Sequence, residues 1–263
     1  MSITTVASQV NAPMPTSRVI HCYVTEAKYA FLRAIRNPGF SIPTLLFPLM
    51  FYLLVGFVFR AFQATDPNVS FFMFCGFATM AAMTPGMFGF GIGFALEREQ
   101  GLFRYKRAVP MPPFAALLAS VAMSVVSTAI AVTLMAGAAL ALGSVKLSIL
   151  QVLTVVAVVS LGAIPFCSIG LWLGSICSGR AAPAITNVIY IVLIYFSGLF
   201  IPLPEGIRVV VLGSPAFYLD QLALASIGAQ NFIVGSAVNH VVVLLGVTVL
   251  FLGLATRRLA REG

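Results

Sequence analysis

Six apolar runs, each long enough to cross a bilayer, follow one another along this chain and leave it few possible folds. A helix needs about 20 mainly apolar residues to span a hydrocarbon core of roughly 30 Å. Only 8% of the 263 residues are charged, against about 25% in a soluble domain. The pattern therefore predicts an all-α membrane protein with six transmembrane helices. Their expected bounds are residues 42–62, 69–96, 114–142, 150–176, 184–201 and 238–254.

The basic residues predict how these helices are oriented, because Lys and Arg are enriched in cytoplasmic segments. With the N-terminus inside, twelve of the fifteen Lys and Arg residues fall in inner segments, and only Arg60, Lys146 and Arg208 fall in outer ones. Both termini and the connector between the second and third spans are therefore expected in the cytoplasm. Since the basic residues lie at the ends of apolar runs, we expect them at lipid headgroups and expect no nucleic acid partner.

The region before the first span is predicted to form a mobile tail (residues 1–17) and then an amphipathic helix (residues 18–38). One helical face carries apolar side chains, and the opposite face carries polar and charged ones. The apolar set is Val24, Ala27, Phe31, Ala34 and Ile35, and the polar set is Glu26, Tyr29, Arg33, Arg36 and Asn37. This pattern is typical of a helix that lies in the membrane interface. We assign residues 18–263 to a single transmembrane domain.

The outer segment 202–237 is long yet largely apolar, and Pro202, Pro204, Gly213 and Pro215 interrupt it. A solvated loop would be more polar, so we expect a re-entrant hairpin of two short helices, shielded from lipid by protein contacts. The alternative is a seventh membrane segment. That alternative would move the C-terminal arginines to the outside, against the charge rule.

Several classes of chemistry lack their usual signatures. None of the three lysines follows a glycine-rich phosphate-binding pattern, so ATP is not expected to bind this chain. No ionisable residue lies in the middle of a run, as an ion-coupled carrier would need. The four cysteines form no Cys-x-x-Cys pair, which argues against a zinc site or a disulfide framework. We expect no catalytic residue, metal or cofactor here and an energy source in another subunit.

A dense glycine run follows Pro85 within the second span, at Gly86, Gly89, Gly91 and Gly93. Glycines inside a membrane helix allow neighbouring helices to approach closely, and a proline supplies a bend. Close packing around a hinge is the favoured interpretation. A role in gating is the alternative.

The connector at 97–113 carries six of the chain's 22 charged residues in its first eleven positions. Its basic residues are explained as anchors on lipid headgroups. Glu97 and Glu99 are not, because an acid gains little at an anionic surface. We predict that they contact protein or pair with the amphipathic helix, for instance with Arg33 or Arg36.

The connector also resembles a known signature. The sequence Glu97-Arg98-Glu99-Gln100-Gly101, followed by a proline turn at 107–113, resembles the coupling region of ABC-2-type exporter permeases. Leu102 and Val109 stand where that family often has threonine. Residues 29–48 resemble the family's interfacial helix entering its first span, and 197–202 with Ser214-Pro215 resemble its fifth helix and outer hairpin.

The resemblance implies a permease that dimerises, more readily as a homodimer, and docks two copies of an ATP-binding ABC subunit. ATP and Mg²⁺ would bind in that subunit, and the chain itself would not be an enzyme. A short cytoplasmic coupling helix would lie between the second and third spans. Carried over by position, coupling to the ATPase would involve Glu97, Glu99, Gly101, Arg104 and Arg107, with Glu26, Arg33 and Arg36 on the interfacial helix.

The expected function is ATP-driven export, across a bacterial cytoplasmic membrane, of a lipophilic small molecule, drug or toxin. The absence of a large outer domain favours this substrate class. Export of a lipid-linked polysaccharide is the first alternative. A membrane component of a cofactor or metal-site maturation system on the same scaffold is the second. No substrate-contacting residue is predicted.

Overall fold

The computed structural model describes residues 16–37, 42–61, 67–102, 115–143, 145–199 and 211–262, and every regular element within them is a helix. We number the α-helices in chain order. They are α1 Thr16–Arg36, α2 Phe47–Ala61, α3 Pro67–Thr84, α4 Gly93–Glu99, α5 Ala115–Ala141, α6 Ile149–Leu161, α7 Ala163–Ile176, α8 Ala182–Phe196, α9 Pro215–Ile227 and α10 Ala237–Glu262. A π-helical turn at Ile42–Leu46 precedes α2, another at Pro85–Ile92 joins α3 to α4, and a 3-10 turn at Gln230–Phe232 follows α9.

Four helical stretches are long and apolar enough to cross a membrane: Val69–Glu99, Ala115–Ala141, Ile149–Ile176 and Ala237–Arg258. The other two expected spans correspond to shorter apolar helices, Thr44–Gly56 and Ala182–Phe196. The described part of the chain is therefore all-helical with several membrane-length helices, as the composition predicts. The count of six full spans stays a prediction.

Two expected boundaries are wrong for identifiable reasons. The fifth helix stops at Phe196 instead of residue 201, because Ser197 bonds back to the Ile194 carbonyl and Gly198 has φ of 72°. The last helix continues to Glu262 instead of residue 254, because Ala, Arg, Leu and Glu, which follow the apolar run, are good helix formers. Hydropathy marks where apolar residues stop, which is not always where a helix stops.

The amphipathic helix α1 begins at Thr16, so the last two residues of the predicted tail are helical. It packs along α5. Ala34 is buried there, whereas Val24, on the same predicted apolar face, is 60% exposed. The apolar face therefore divides into a part that contacts protein and a part that is exposed, and its location in the membrane interface stays a prediction.

The second span is the centre of the helix bundle. In its most apolar stretch 83% of the residues are buried inside the protein, against 11% in the last span. Phe74, Met83 and Met87 on this span are almost completely buried. The last span instead presents most of its side chains outward. We call the end of the bundle that holds residues 97–101 the charged end.

Helix α9, the second half of the segment predicted as a hairpin, lies among α3, α6 and α10. It runs antiparallel to α6, since Gln151 donates to the Ile227 carbonyl at 2.7 Å while Leu219 packs against Gly162. Protein contacts thus shield this helix, as predicted. The first half, at residues 202–210, lies outside the described residues, so the complete re-entrant path stays a prediction.

Candidate functional site at the charged end of the second span

Three consecutive charged residues, Glu97, Arg98 and Glu99, form the last turn of α4. The helix ends there because Gly101 adopts a φ of 71° and its amide donates to the Arg98 carbonyl at 3.0 Å. Left-handed glycine is a common way to stop a helix and to satisfy its last carbonyls. Neighbouring residues on a helix point about 100° apart. The three side chains therefore reach three different parts of the protein.

Glu97 reaches the amphipathic helix α1. Its Oε1 accepts a hydrogen bond from Nη1 of Arg33 at 2.7 Å, which makes an ion pair. The Arg33 side chain is 65% exposed and the Glu97 side chain 17%. The predicted pairing with α1 is therefore confirmed for this pair. Among the described residues, Glu26 and Arg36 form no ion pair.

Arg98 reaches the C-terminal end of α7. Its guanidinium donates to the main-chain carbonyls of Ser175 and Cys177, the second at 2.8 Å from Nη2. The last carbonyls of a helix have no intrahelical donor, and the helix dipole favours a cation beside them. Burial raises the pKa of the Cys177 thiol, and the charge of Arg98 opposes that rise. Arg98 thus ties the end of the second span to the end of the fourth.

Glu99 reaches the turn at residues 177–181, which joins α7 to α8. Its carboxylate lies directly against Gly179, where any side chain would overlap with it and with Leu96. Gly179 is buried, and the next residue, Arg180, is exposed. Glycine at this position lets Glu99 approach the turn closely, and a larger residue would make the exposed Glu99 side chain move away.

Four glycines hold the adjoining parts of the second and fourth spans together. Gly86 and Gly91 of the π-helical turn face Gly170 and Gly174 of α7, with main-chain atoms in direct contact. A β-carbon at Gly91, for example, would lie 2.9 Å from the Gly170 α-carbon. Close packing beside Pro85 is therefore confirmed for Gly86 and Gly91. Gly93 has open space around it and takes no part.

A family model described as ABC-2 type transporter matches residues 23–227, a stretch that begins within α1 and ends with α9. The chain belongs to the ABC-2 type transporter family. The resemblance in the sequence is thereby confirmed, and the charged end of the second span falls within the match. Comparison with curated proteins gives no match.

Membership identifies the chain as a multi-pass membrane permease, the transporter component that does not itself hydrolyse ATP. Permeases of this family associate with an ATP-binding ABC subunit. Of the residues assigned to coupling, the structure brings Glu97 and Glu99 together in one turn and places Gly101 at the end of α4. Arg104 and Arg107 lie outside the described residues.

A buried hydrogen bond joins the second span of the permease to α8. It lies next to the π-helical turn at Pro85–Ile92, which we call the break in the second span. The Thr84 hydroxyl donates to the Met80 carbonyl at 2.9 Å, so the bond between Thr84 and the Tyr190 hydroxyl, also 2.9 Å, has Tyr190 as its donor. The Tyr190 ring also packs edge-on against Phe88, at 4.9 Å between ring centroids. The break is therefore held by a side chain from α8 as well as by α7.

We expect Tyr190→Phe to lower the melting temperature of the permease by about 2–4 °C, because one buried hydrogen bond of about 1 kcal/mol is lost. Tyr195→Phe, on the same helix but 71% exposed, is the matched control and should leave the temperature unchanged. Thermal denaturation in detergent, followed by size-exclusion chromatography, measures both. Equal shifts for the two variants would show that the hydrogen bond contributes nothing.

Sequence analysis missed one buried acid, Asp220. Asp220 on α9 is 2% exposed and its Oδ1 has no hydrogen-bond partner among the described residues. His240 is buried against the rings of Phe217 and Tyr218. A signal for Asp220 was present, because an acid inside a segment expected to enter the membrane is unusual.

Proposed function

We propose that this permease exports a lipophilic small molecule, drug or toxin from the cytoplasm or the inner leaflet. Two copies of an ABC subunit would bind ATP and Mg²⁺ and supply the energy, and two copies of this chain would form the pathway. The bacterial cytoplasmic membrane, with both termini in the cytoplasm, is the proposed location. The charged turn at 97–99 would receive the motion of the ATPase.

The observation that carries the coupling role is the convergence of three elements on one helical turn. Through Glu97, Arg98 and Glu99 this turn contacts α1, the end of α7 and the turn before α8. A displacement applied to the connector that follows Gly101 would act directly on this turn. Because packed helices move as rigid bodies, a small shift here would be passed to three parts of the permease at once.

The proposed substrate class is supported by the character of the interior. The largest fully buried side chains of the described residues are apolar and several are methionine, among them Phe74, Phe166, Met83, Met87 and Met135. Methionine is unbranched and polarisable, so it adapts to apolar ligands of varied shape. Many exposed side chains are also large and apolar, so a path lined by this chain would suit a lipophilic molecule better than a strongly hydrated one.

Glu99→Ala is expected to leave membrane insertion intact and to weaken coupling, because its carboxylate contacts the turn before α8 and supports no span. Lys146→Ala, an exposed charge at the opposite end of the bundle, is the control. The permease would be purified together with its ABC subunit and reconstituted, and ATP hydrolysis and ATP-driven export would be measured. Native values of both in the Glu99 variant would overturn the coupling role.

The substrate class needs a separate experiment. Inside-out vesicles that contain the complete complex would be given ATP and either a panel of fluorescent lipophilic dyes or a lipid-linked oligosaccharide. ATP-dependent accumulation of the dyes supports the proposal. Accumulation of the oligosaccharide alone would replace it with polysaccharide export, and accumulation of neither would remove the small-molecule assignment.

A further inference from the structure

We propose that Arg98 is a positioning residue that makes the second and fourth spans move as one body at the charged end and carry the start of α8 with them. The inference rests on the proposed coupling role of residues 97–99 and adds a direction to it. Motion would enter through the connector and α1 and leave through α7 and α8.

The first step concerns the freedom of α4. This helix has seven residues, Gly93–Glu99, and is joined to α3 through the π-helical turn at Pro85–Ile92. A proline followed by a non-α segment is a usual place for a helix to bend. Taken alone, α4 would therefore be expected to swing about that turn when the connector is displaced.

The second step is that both ends of α4 are attached to α7. Just before α4, main-chain atoms of Gly86 and Gly91 touch those of Gly170 and Gly174. No side chain lies between the two backbones there, so this contact cannot adjust by a change of rotamer. At the other end, Arg98 donates to the carbonyls of Ser175 and Cys177. With both attachments in place α4 cannot swing separately, and its displacement moves α7. Removal of Arg98 would leave the glycine contact and the apolar packing of Phe94 and Ala95, with no polar bond to the end of α7.

The third step identifies where the motion leaves. The five residues 177–181 separate α7 from α8, and Glu99 presses on Gly179 within them. Cys177 and Ala182, on either side of that contact, are both buried. Because this connection is short and its ends are buried, a shift of α7 is transmitted to α8. The ion pair of Glu97 with the largely exposed Arg33 is a weaker attachment, as expected on the receiving side.

A labelling experiment tests the local part of the proposal without any partner. In permease with Cys22→Ser, Cys177 is expected to react slowly with N-ethylmaleimide because it is buried beside Arg98. We expect at least about tenfold faster labelling in Arg98→Gln, the rate change that follows when local opening becomes about 1.4 kcal/mol easier. Arg98→Lys, which retains the charge, should fall between the two, and Lys146→Gln should match the native rate. An unchanged rate in Arg98→Gln would overturn the attachment.

A distance experiment tests the concerted motion. Spin labels at Gln100 and Ala184, both exposed, would report on α4 and the start of α8 in a background with alanine at the four native cysteines. In the complex with its ABC subunit, trapping with ATP and vanadate should leave the 100–184 distance unchanged while the distance from 100 to a label at 146 shifts. In Arg98→Gln the distribution of 100–184 distances should become broader, and its mean should change on trapping.

The two proposals fail in different ways. If the nucleotide moves neither distance in the native complex, the coupling role of residues 97–99 is lost, and Arg98 is then judged on Cys177 labelling and on the width of the 100–184 distribution. If the nucleotide changes the 100–184 distance in the native complex, the concerted motion is wrong although coupling stands. If Arg98→Gln only lowers stability and keeps the two labels moving together, Arg98 is structural and does not position the spans.

Discussion

Valine at Gly170 is expected to stop the second and fourth spans from packing and to leave little folded permease. A β-carbon on Gly170 would overlap the Gly86 carbonyl oxygen and lie 3.2 Å from the Gly91 amide nitrogen. These are main-chain atoms of a helix that is itself buried, so no rotamer change relieves the contact. Overpacking a core costs about 1–3 kcal/mol where side chains can adjust, and we expect a larger cost here, comparable with the whole stability of a domain, about 5–15 kcal/mol.

Gly137→Val is the matched control for this prediction. Gly137 lies in the interior of α5, and no atom stands within 4 Å of the position that a β-carbon would take there. Alanine at Gly137 should even stabilise the helix, by about 0.5–1 kcal/mol, whereas alanine at Gly170 should destabilise the permease. The monodisperse fraction on size-exclusion chromatography and the melting temperature measure all four variants. A folded Gly170→Val permease would show that the two spans do not meet at these glycines.

The fold was largely predictable where it depends on local pattern. The third span, expected at residues 114–142, runs from Ala115 to Ala141, because an apolar helix between polar ends has no other solution in a bilayer. The end of α8 was not predictable in this way. It depends on the turn at Gly198 and on the Leu199 carbonyl lying against Gly76 of α3, a contact between residues far apart in sequence.

The functional site, too, contains contacts that local sequence predicts and contacts that it does not. Charge alone predicted protein contacts or an ion pair between Glu97 or Glu99 and a basic residue of α1, with Arg33 and Arg36 as candidates, and the structure shows the pair of Glu97 with Arg33. The role of Arg98 could not be predicted in this way. Its acceptors are main-chain carbonyls at the end of α7, and every residue type has such a carbonyl. The contact of Glu99 with Gly179 was missed for a similar reason, because it joins residues far apart in sequence.

Reversing the charge at Glu97 is expected to uncouple ATP hydrolysis from export, and reversing Arg33 as well is expected to restore it. Glu97→Arg places two cations where the structure has an ion pair of 2.7 Å. Coupling between sites is typically about 1–3 kcal/mol, or about 5–150-fold, so export per ATP should fall at least about fivefold. The double variant Arg33→Glu, Glu97→Arg rebuilds the pair in the opposite sense.

Stability separates a coupling role from a merely structural one in this experiment. Since Arg33 is 65% exposed, losing the pair should change the free energy of unfolding by no more than about 1 kcal/mol. Lys28→Glu, a reversal at an exposed position on the same helix, controls for added charge at the membrane surface. Recovery of export in the double variant, with stability nearly constant throughout, identifies the contact between α1 and α4 as part of the transmission. Failure to recover would mean that Glu97 acts through some other partner, and α1 would then lose its place at the receiving side.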